Sequence, residues 1–317
     1  MKRYFFAALA AFALSLVFSW MLIPILRKLK AGQNILSYVK EHKNKGGTPT
    51  MGGIAFLLAT LLATTLFVRE RDKTLLVCLA IGLAYMLVGL LDDFLKKKHK
   101  ENLGLRAWQK LLFQLAIALL AGIYCMRIQA TALYIPFWGE SVYIGAWILP
   151  LSVFVFIATV NAVNLTDGLD GLAAGTGVPF FAVLGGVILL EKGNEGIACL
   201  CFCLVGALLA YLLFNVSPAS VFMGDTGSLG LGGFASAVAV LSGNALYVAV
   251  VGACFVFSVI SVLLQVIYYK VTKGKRIFLM APAHHHFQMK GYSESRIAYA
   301  YFVITLLLGA VCLTSLL

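Results

Sequence analysis

Residues 161–171 read Asn-Ala-Val-Asn-Leu-Thr-Asp-Gly-Leu-Asp-Gly, which puts two carboxylates and two side-chain amides in one short stretch. Apolar runs on both sides are long enough to be membrane spans. Ionisable groups beside hydrocarbon are costly and mark function by default. The stretch holds no basic residue, so Asp167 and Asp170 must face water, a cation or a substrate. Gly168 and Gly171 each follow an Asp and suit a tight loop. A polar turn between helices is the plainer alternative. The preferred reading is one wall of a site that handles a metal and a phosphorylated substrate.

Asp92 and Asp93 close another apolar run and are followed by Phe94, Leu95 and three lysines, Lys96, Lys97 and Lys98. Hard carboxylate oxygens suit a divalent cation such as Mg²⁺, and lysines suit phosphate charge. Adjacent carboxylates also repel, which raises the proton affinity of one and fits a general base. Read alone, the pair is equally a solvated helix end. Asp225 lies in Phe222-Met-Gly224-Asp225-Thr-Gly-Ser. Aspartic proteases share Asp-Thr-Gly-Ser but need two such Asp, and this chain has one copy. Glycines around a single Asp suit close backbone approach to a phosphate or metal.

Residues 45–53, Lys-Gly-Gly-Thr-Pro-Thr-Met-Gly-Gly, open a further apolar run. Their lysine, hydroxyls and glycines at a helix start fit anion binding, with Pro49 just inside that start. His284, His285 and His286 are consecutive and so cannot all point at one ion. They fit hydrogen bonding to a phosphate better than a zinc site. The chain lacks a Walker A motif, and Gly230-x-Gly232 lacks the strand–turn–helix setting of a dinucleotide fingerprint.

The elements that carry these residues are membrane helices. Hydrophobic residues make up 61% of the chain and charged residues 12%, at a mean hydropathy of +0.94. Soluble domains run at roughly 45–50% apolar and 25% charged, so a single membrane domain over 1–317 is expected. The fold expected is all-α and polytopic, with about ten transmembrane helices and both termini external. The apolar runs are 4–26, 51–68, 74–91, 107–126, 146–163, 172–190, 197–213, 229–243, 245–269 and 297–317. Lys2 and Arg3 before the first run could suggest a signal peptide, but no cleavage pattern closes it.

The net charge of +12 does not imply nucleic acid, because Lys and Arg are confined to stretches that flank apolar runs. Stretches 27–50, 92–106 and 270–296 carry 17 of them, against 7 on the opposite side. The first side is therefore the cytoplasmic one. Asp92, Asp93, Asp167, Asp170 and Asp225 all fall on it, although they played no part in choosing it. Residues 128–145 have two β-prone arms around Phe137 to Glu140 and fit a small external hairpin. The seven Cys all lie in or beside apolar runs and read as small hydrophobes.

Taken together, these segments resemble the phospho-N-acetylmuramoyl-pentapeptide transferases of the polyprenyl-phosphate N-acetylhexosamine-1-phosphate transferase superfamily. The resemblance spans residues 45–290 and five motifs in register. It implies transfer of phospho-N-acetylmuramoyl-pentapeptide from UDP to undecaprenyl phosphate, giving lipid I and UMP with Mg²⁺. It also implies a bacterial plasma-membrane homodimer with a cytoplasmic active site. By motif, Asp92 and Asp93 are the paired acids, Asp225 is the metal ligand, and His285 joins the catalytic set. Asn161, Asn164, Asp167, Gly168, Leu169 and Asp170 line the nucleotide side, with Asn215, Phe222 and Gly224. Lys45, Thr50, Lys96, Lys110, Gln265, His284 and His286 fall at positions associated with the pocket. The family has Glu two residues after the third His, where this chain has Gln288. The acidic motifs are shared with UDP-N-acetylglucosamine transferases, and a transporter could also bury acids. Transporters, however, place them near mid-membrane.

Overall fold

The computed structural model describes residues 2–29, 47–69, 72–99 and 104–316. Long apolar runs become helices because lipid offers no partner for a free backbone N–H or C=O. They are α1 (Lys2–Lys28), α2 (Gly53–Phe67), α3 (Lys73–His99), α4 (Ala107–Arg127), α5 (Ile148–Thr166), α6 (Leu172–Leu190) and α7 (Glu195–Asn215). They continue as α8 (Gly224–Leu241), α9 (Tyr247–Val251), α10 (Ala253–Val271), α11 (Ala283–Met289) and α12 (Glu294–Thr314). Among the described residues, eight helices are long and apolar enough to cross a membrane.

Two predicted spans fall outside those eight. α2 has only 15 residues. α8 begins Gly-Asp-Thr-Gly-Ser and is rich in glycine, yet every residue from Thr226 to Leu241 is buried. α8 packs against α2, α3, α5 and α6. A helix surrounded by protein needs small residues for close neighbours more than a lipid-facing apolar surface. Gly89 of α3 shows how close these neighbours come: a Cβ there would lie 2.1 Å from the Asp225 carbonyl oxygen. Gly206 of α7 does the same toward α1, where a Cβ would meet the Ala8 carbonyl oxygen at 1.9 Å. The same helix pair is tied by Ser15 Oγ, which donates to the Ala207 carbonyl at 2.8 Å.

The run 245–269 is not the single helix its hydropathy predicts. It divides at Gly252 into α9 and α10. A Cβ at 252 would lie 2.5 Å from the Val248 carbonyl oxygen and 3.2 Å from the Phe180 ring, so the break admits a close neighbour. The predicted hairpin is present as β1 (Ala132–Tyr134) and β2 (Ser141–Tyr143), antiparallel with Leu133 opposite Val142. Tyr134 N donates to the Gly243 carbonyl, which fastens the hairpin to the far end of α8. All seven Cys are buried.

Candidate active site

The C-terminal ends of α3 and α5 meet the N-terminal ends of α4 and α8 at the end of the bundle opposite the hairpin. The frame is set by Asp93. It is buried, and its carboxylate accepts from Asp225 N at 3.1 Å, Thr226 N at 2.9 Å and Thr226 Oγ1 at 2.7 Å. These are first-turn amides of α8, which have no partner within the helix. An anion there also meets the positive end of the helix dipole. Asp93 thus caps α8 from a neighbouring helix and brings the next side chain, Asp225, to Asp92.

Asp92 is fully buried. Its Oδ1 accepts from Leu105 N at 2.7 Å, and its Oδ2 lies 2.8 Å from Lys96 Nζ and 2.9 Å from Lys110 Nζ. Oδ2 has no well-aligned hydrogen bond, so charge attraction holds it. Both ammonium groups also reach Asp225 Oδ2, Lys96 at 3.0 Å. The other oxygen of Asp225 accepts from Asn164 Nδ2 at 3.1 Å, and the same nitrogen lies 2.7 Å from Ser228 Oγ. Ligand oxygens of Asp92, Asp93 and Asp225 lie within 4.8 Å of one another. Hard carboxylate oxygens at that spacing fit Mg²⁺. Each of the three carboxylates meets three donors, but Asp93 is bound by the first turn of α8. Asp225 and Asp92 face mainly the mobile ammonium groups of Lys96 and Lys110, which a cation can displace, so they are the better ligands.

Segment 47–53 forms the edge of the site by backbone pairing. Phe222 N donates to the Pro49 carbonyl, Gly52 N to Phe222 O and Gly53 N to Met223 O. Pro49 therefore lies in an extended bridge before α2, not in its first turn, because its carbonyl is taken by Phe222. Gly224 has φ +71°, and a Cβ there would lie 2.6 Å from both Asp93 Oδ2 and Thr50 Oγ1. Thr50 thus borders the acids. Lys45 lies outside the described residues.

The loop 167–171 and the triple-His helix form a second wall. A Cβ on Gly168 would stand 2.5 Å from His284 Nε2 and 3.0 Å from His285 Nε2. Burial first, then the carboxylates of Asp225, Asp93 and Asp170, push the Asp167 carboxyl well above its ordinary range. Burial, then His285, lowers His284 to about 3, so this fully buried ring is neutral. As expected, the three His point differently: His286 Nδ1 accepts from Leu279 N at 3.1 Å, away from the acids.

Several predicted pocket residues have other work. Asn161 Nδ2 donates to Gln114 Oε1 at 2.7 Å and to the Ile157 carbonyl. Leu169 packs with Leu172, Cys254, Ile297 and Tyr301. Asn215 accepts from Gly171 N and donates to the Val221 carbonyl, tying two loops together. Asp170 Oδ2 accepts from Ala219 N at 3.0 Å. Gln265 Oε1 accepts from Ile277 N and Phe278 N, so its side chain shapes the following loop and not the acid cluster. Sequence reasoning missed Thr226, Ser228 and Glu294. Thr226 and Ser228 sat inside the Asp225 motif, and Glu294 follows Ser293, the residue that caps α12. That pattern signals a helix start and nothing about a site.

The family model for glycosyl transferase family 4 matches residues 75–243. The chain is 42% identical over 310 residues to the phospho-N-acetylmuramoyl-pentapeptide-transferase of Caldanaerobacter subterraneus subsp. tengcongensis, covering 96% of each chain. It is 42% identical over 324 residues to that of Clostridium novyi, covering 100% of this chain and 98% of the relative. Against that of Geobacillus sp. it is 43% identical over 307 residues, covering 95% and 94%. With a multi-pass helical fold and a buried acidic cluster at one end, this chain belongs to the phospho-N-acetylmuramoyl-pentapeptide-transferase family, within glycosyl transferase family 4.

Proposed function

We propose that this protein transfers phospho-N-acetylmuramoyl-pentapeptide from its UDP-linked donor to undecaprenyl phosphate, releasing UMP and forming lipid I. The observation that carries this reading is the meeting of Asp92, Asp93 and Asp225 with Lys96 and Lys110 at one end of a membrane bundle. There a soluble nucleotide and a lipid headgroup can reach the same groups.

An oxygen of the lipid phosphate forms a bond to the β-phosphorus of the donor, and the bond from that phosphorus to UMP breaks. Such transfers depend mainly on positioning and charge neutralisation. Lys96 and Lys110 each bridge two carboxylates, so their ammonium groups are already placed where phosphate oxygens arrive. Mg²⁺, held by Asp225 with Asp92, would neutralise charge on the diphosphate and the departing UMP. Asp92 keeps the attacking phosphate deprotonated. Asp93 holds α8 in place and makes no contact with the reacting atoms. Asn164 fixes the Asp225 carboxylate by Oδ1, the oxygen that the lysines do not hold. Asp167, His285 and the neutral His284 form the nucleotide side.

The cationic stretches support a cytoplasmic position for this end of the bundle, at a bacterial plasma membrane. The family resemblance carries a homodimer, checked by mass measurement of the intact complex. The direct test is Mg²⁺-dependent UMP release from UDP-N-acetylmuramoyl-pentapeptide plus undecaprenyl phosphate. No release with both substrates and metal present would refute the reading.

A further inference from the structure

A chain of polar contacts runs from α12 to the His wall. Gln288 is buried, and its side-chain amide lies between two groups. Its Nε2 donates to Glu294 Oε1 at 3.3 Å, and its Oε1 is 3.1 Å from His285 Nδ1. An ionised carboxylate only accepts, so the amide must turn its NH₂ toward Glu294. Its carbonyl then faces His285 and can only accept, so the proton on that ring sits at Nδ1. The other ring nitrogen, Nε2, lies against the Asp167–Gly168 turn. The other oxygen of Glu294 accepts from Asp170 N at 2.9 Å, so one carboxylate sets the tautomer and fixes the opposite wall.

We propose that Glu294 is a positioning residue for the transfer reaction: acting through Gln288, it keeps the His285 ring proton on Nδ1 and turns Nε2 toward the donor site. This rests on the transferase reading above. The negative charge that the family pattern has two residues after the third His is supplied here from the first turn of α12, one amide further away. Among the described residues, the titratable group packed on His285 is His284, with ring centroids 4.5 Å apart, while Glu294 reaches it through Gln288 and Asp167 and Asp170 belong to the loop against its Nε2. α10 meets α11 through Ser261 Oγ, which accepts from Ala283 N and does not titrate.

The arrangement makes a test with a rescue. In Glu294→Gln, the new side chain keeps its carbonyl on Asp170 N and turns its NH₂ to Gln288. The Gln288 amide must then reverse, offering NH₂ to His285 Nδ1 and moving the ring proton to Nε2. Adding Gln288→Glu restores an acceptor opposite Nδ1, now charged. Partners that orient a metal-bound His through a hydrogen bond are typically worth roughly 10–100-fold in activity, and the same scale is expected for this His.

UMP release would be measured against pH for wild type, E294Q, Q288E/E294Q and E294A, with thermal midpoints and ¹⁵N shifts of labelled His in nanodiscs. The expected result is a fall in kcat of about 10–100-fold for E294Q with KM little changed, and an Nε2–H signature for one His. The double variant should regain activity and the Nδ1–H signature. Its acid limb should lie at higher pH than that of wild type, because a carboxylate now abuts His285. E294A also loses the Asp170 tie and should fall in both kcat and stability. If wild type releases UMP but E294Q matches it across pH, or keeps the Nδ1–H signature, the positioning role is overturned. Failure of the double variant to recover does the same. If wild type itself releases no UMP, the transferase reading fails instead, while the ¹⁵N shifts still decide the tautomer.

Discussion

Replacing Asp93 with Asn should act on the fold before it acts on the chemistry. The carboxylate takes three hydrogen bonds, one on Oδ1 and two on Oδ2, and is 4% exposed. An amide can keep its oxygen on Thr226, but its NH₂ then faces the Asp225 amide N–H, donor against donor. A buried donor left without a partner costs about 1–3 kcal/mol. Loss of the anion at a helix N-terminus adds roughly 0.5–1 kcal/mol. The variant should therefore lose about 2–4 kcal/mol on those two counts. The first turn of α8 should loosen and Asp225 should drift from the lysines. Asp92→Asn offers the contrast. Its oxygen can stay on Leu105 N while the NH₂ replaces only the oxygen that faces two ammonium groups. That change should abolish UMP release and, by setting an NH₂ against two ammonium groups in a buried site, should also cost at least about 1–3 kcal/mol. It leaves the α8 cap intact, so hydrogen exchange at the Asp225 and Thr226 amides should rise in Asp93→Asn and not in Asp92→Asn. Hydrogen exchange and unfolding in a fixed detergent, beside UMP release, separate the two. Asp93→Asn matching wild type in stability and in exchange at those amides, while Asp92→Asn raises that exchange, would refute the assignment of cap and chemistry.

Gly89→Ala would place a methyl 2.1 Å from the Asp225 carbonyl and force α3 from α8, with a loss of about 1–3 kcal/mol and of UMP release. Gly175→Ala, where a Cβ meets nothing within 4 Å, is the control and should be neutral or stabilising in the same unfolding assay. At the far end of the bundle, burial raises Glu191 from 4.5 to about 7. Between those values the folded state holds a proton that the unfolded state has released, so stability falls as pH rises through the window. Glu191→Gln should flatten that slope, and an unchanged profile of thermal midpoint against pH would contradict it.

The helical membrane fold was legible because ten apolar runs have few other solutions in lipid, and the hairpin because its arms are β-prone. What hydropathy could not register was the break at Gly252, where apolarity continues while the backbone yields to Phe180. It also misjudged α8, whose glycines reflect neighbours on every side. The acids were legible one by one, since an Asp at the end of an apolar run stands out. Their division of labour was not. Asp92 and Asp93 are adjacent in sequence yet point one into the lysines and the other at a helix end, which follows from helical phase and from where α8 begins. Gln265 and Asn161 look like pocket residues by motif, but their amides are used by loop and helix partners that only the fold brings near. Glu294 could not have been found from its local pattern, because its partners Gln288 and Asp170 meet only after α12 docks.

The central claim is that Asp225, with Asp92, holds a divalent cation on the donor diphosphate. Mn²⁺ in place of Mg²⁺ tests it by electron paramagnetic resonance in detergent or nanodiscs, with UDP-N-acetylmuramoyl-pentapeptide present. The account predicts about one bound Mn²⁺ per chain with phosphorus hyperfine coupling, lost in Asp225→Asn while thermal unfolding shows that variant still folded. Equal Mn²⁺ binding and coupling in that variant and in wild type would contradict it.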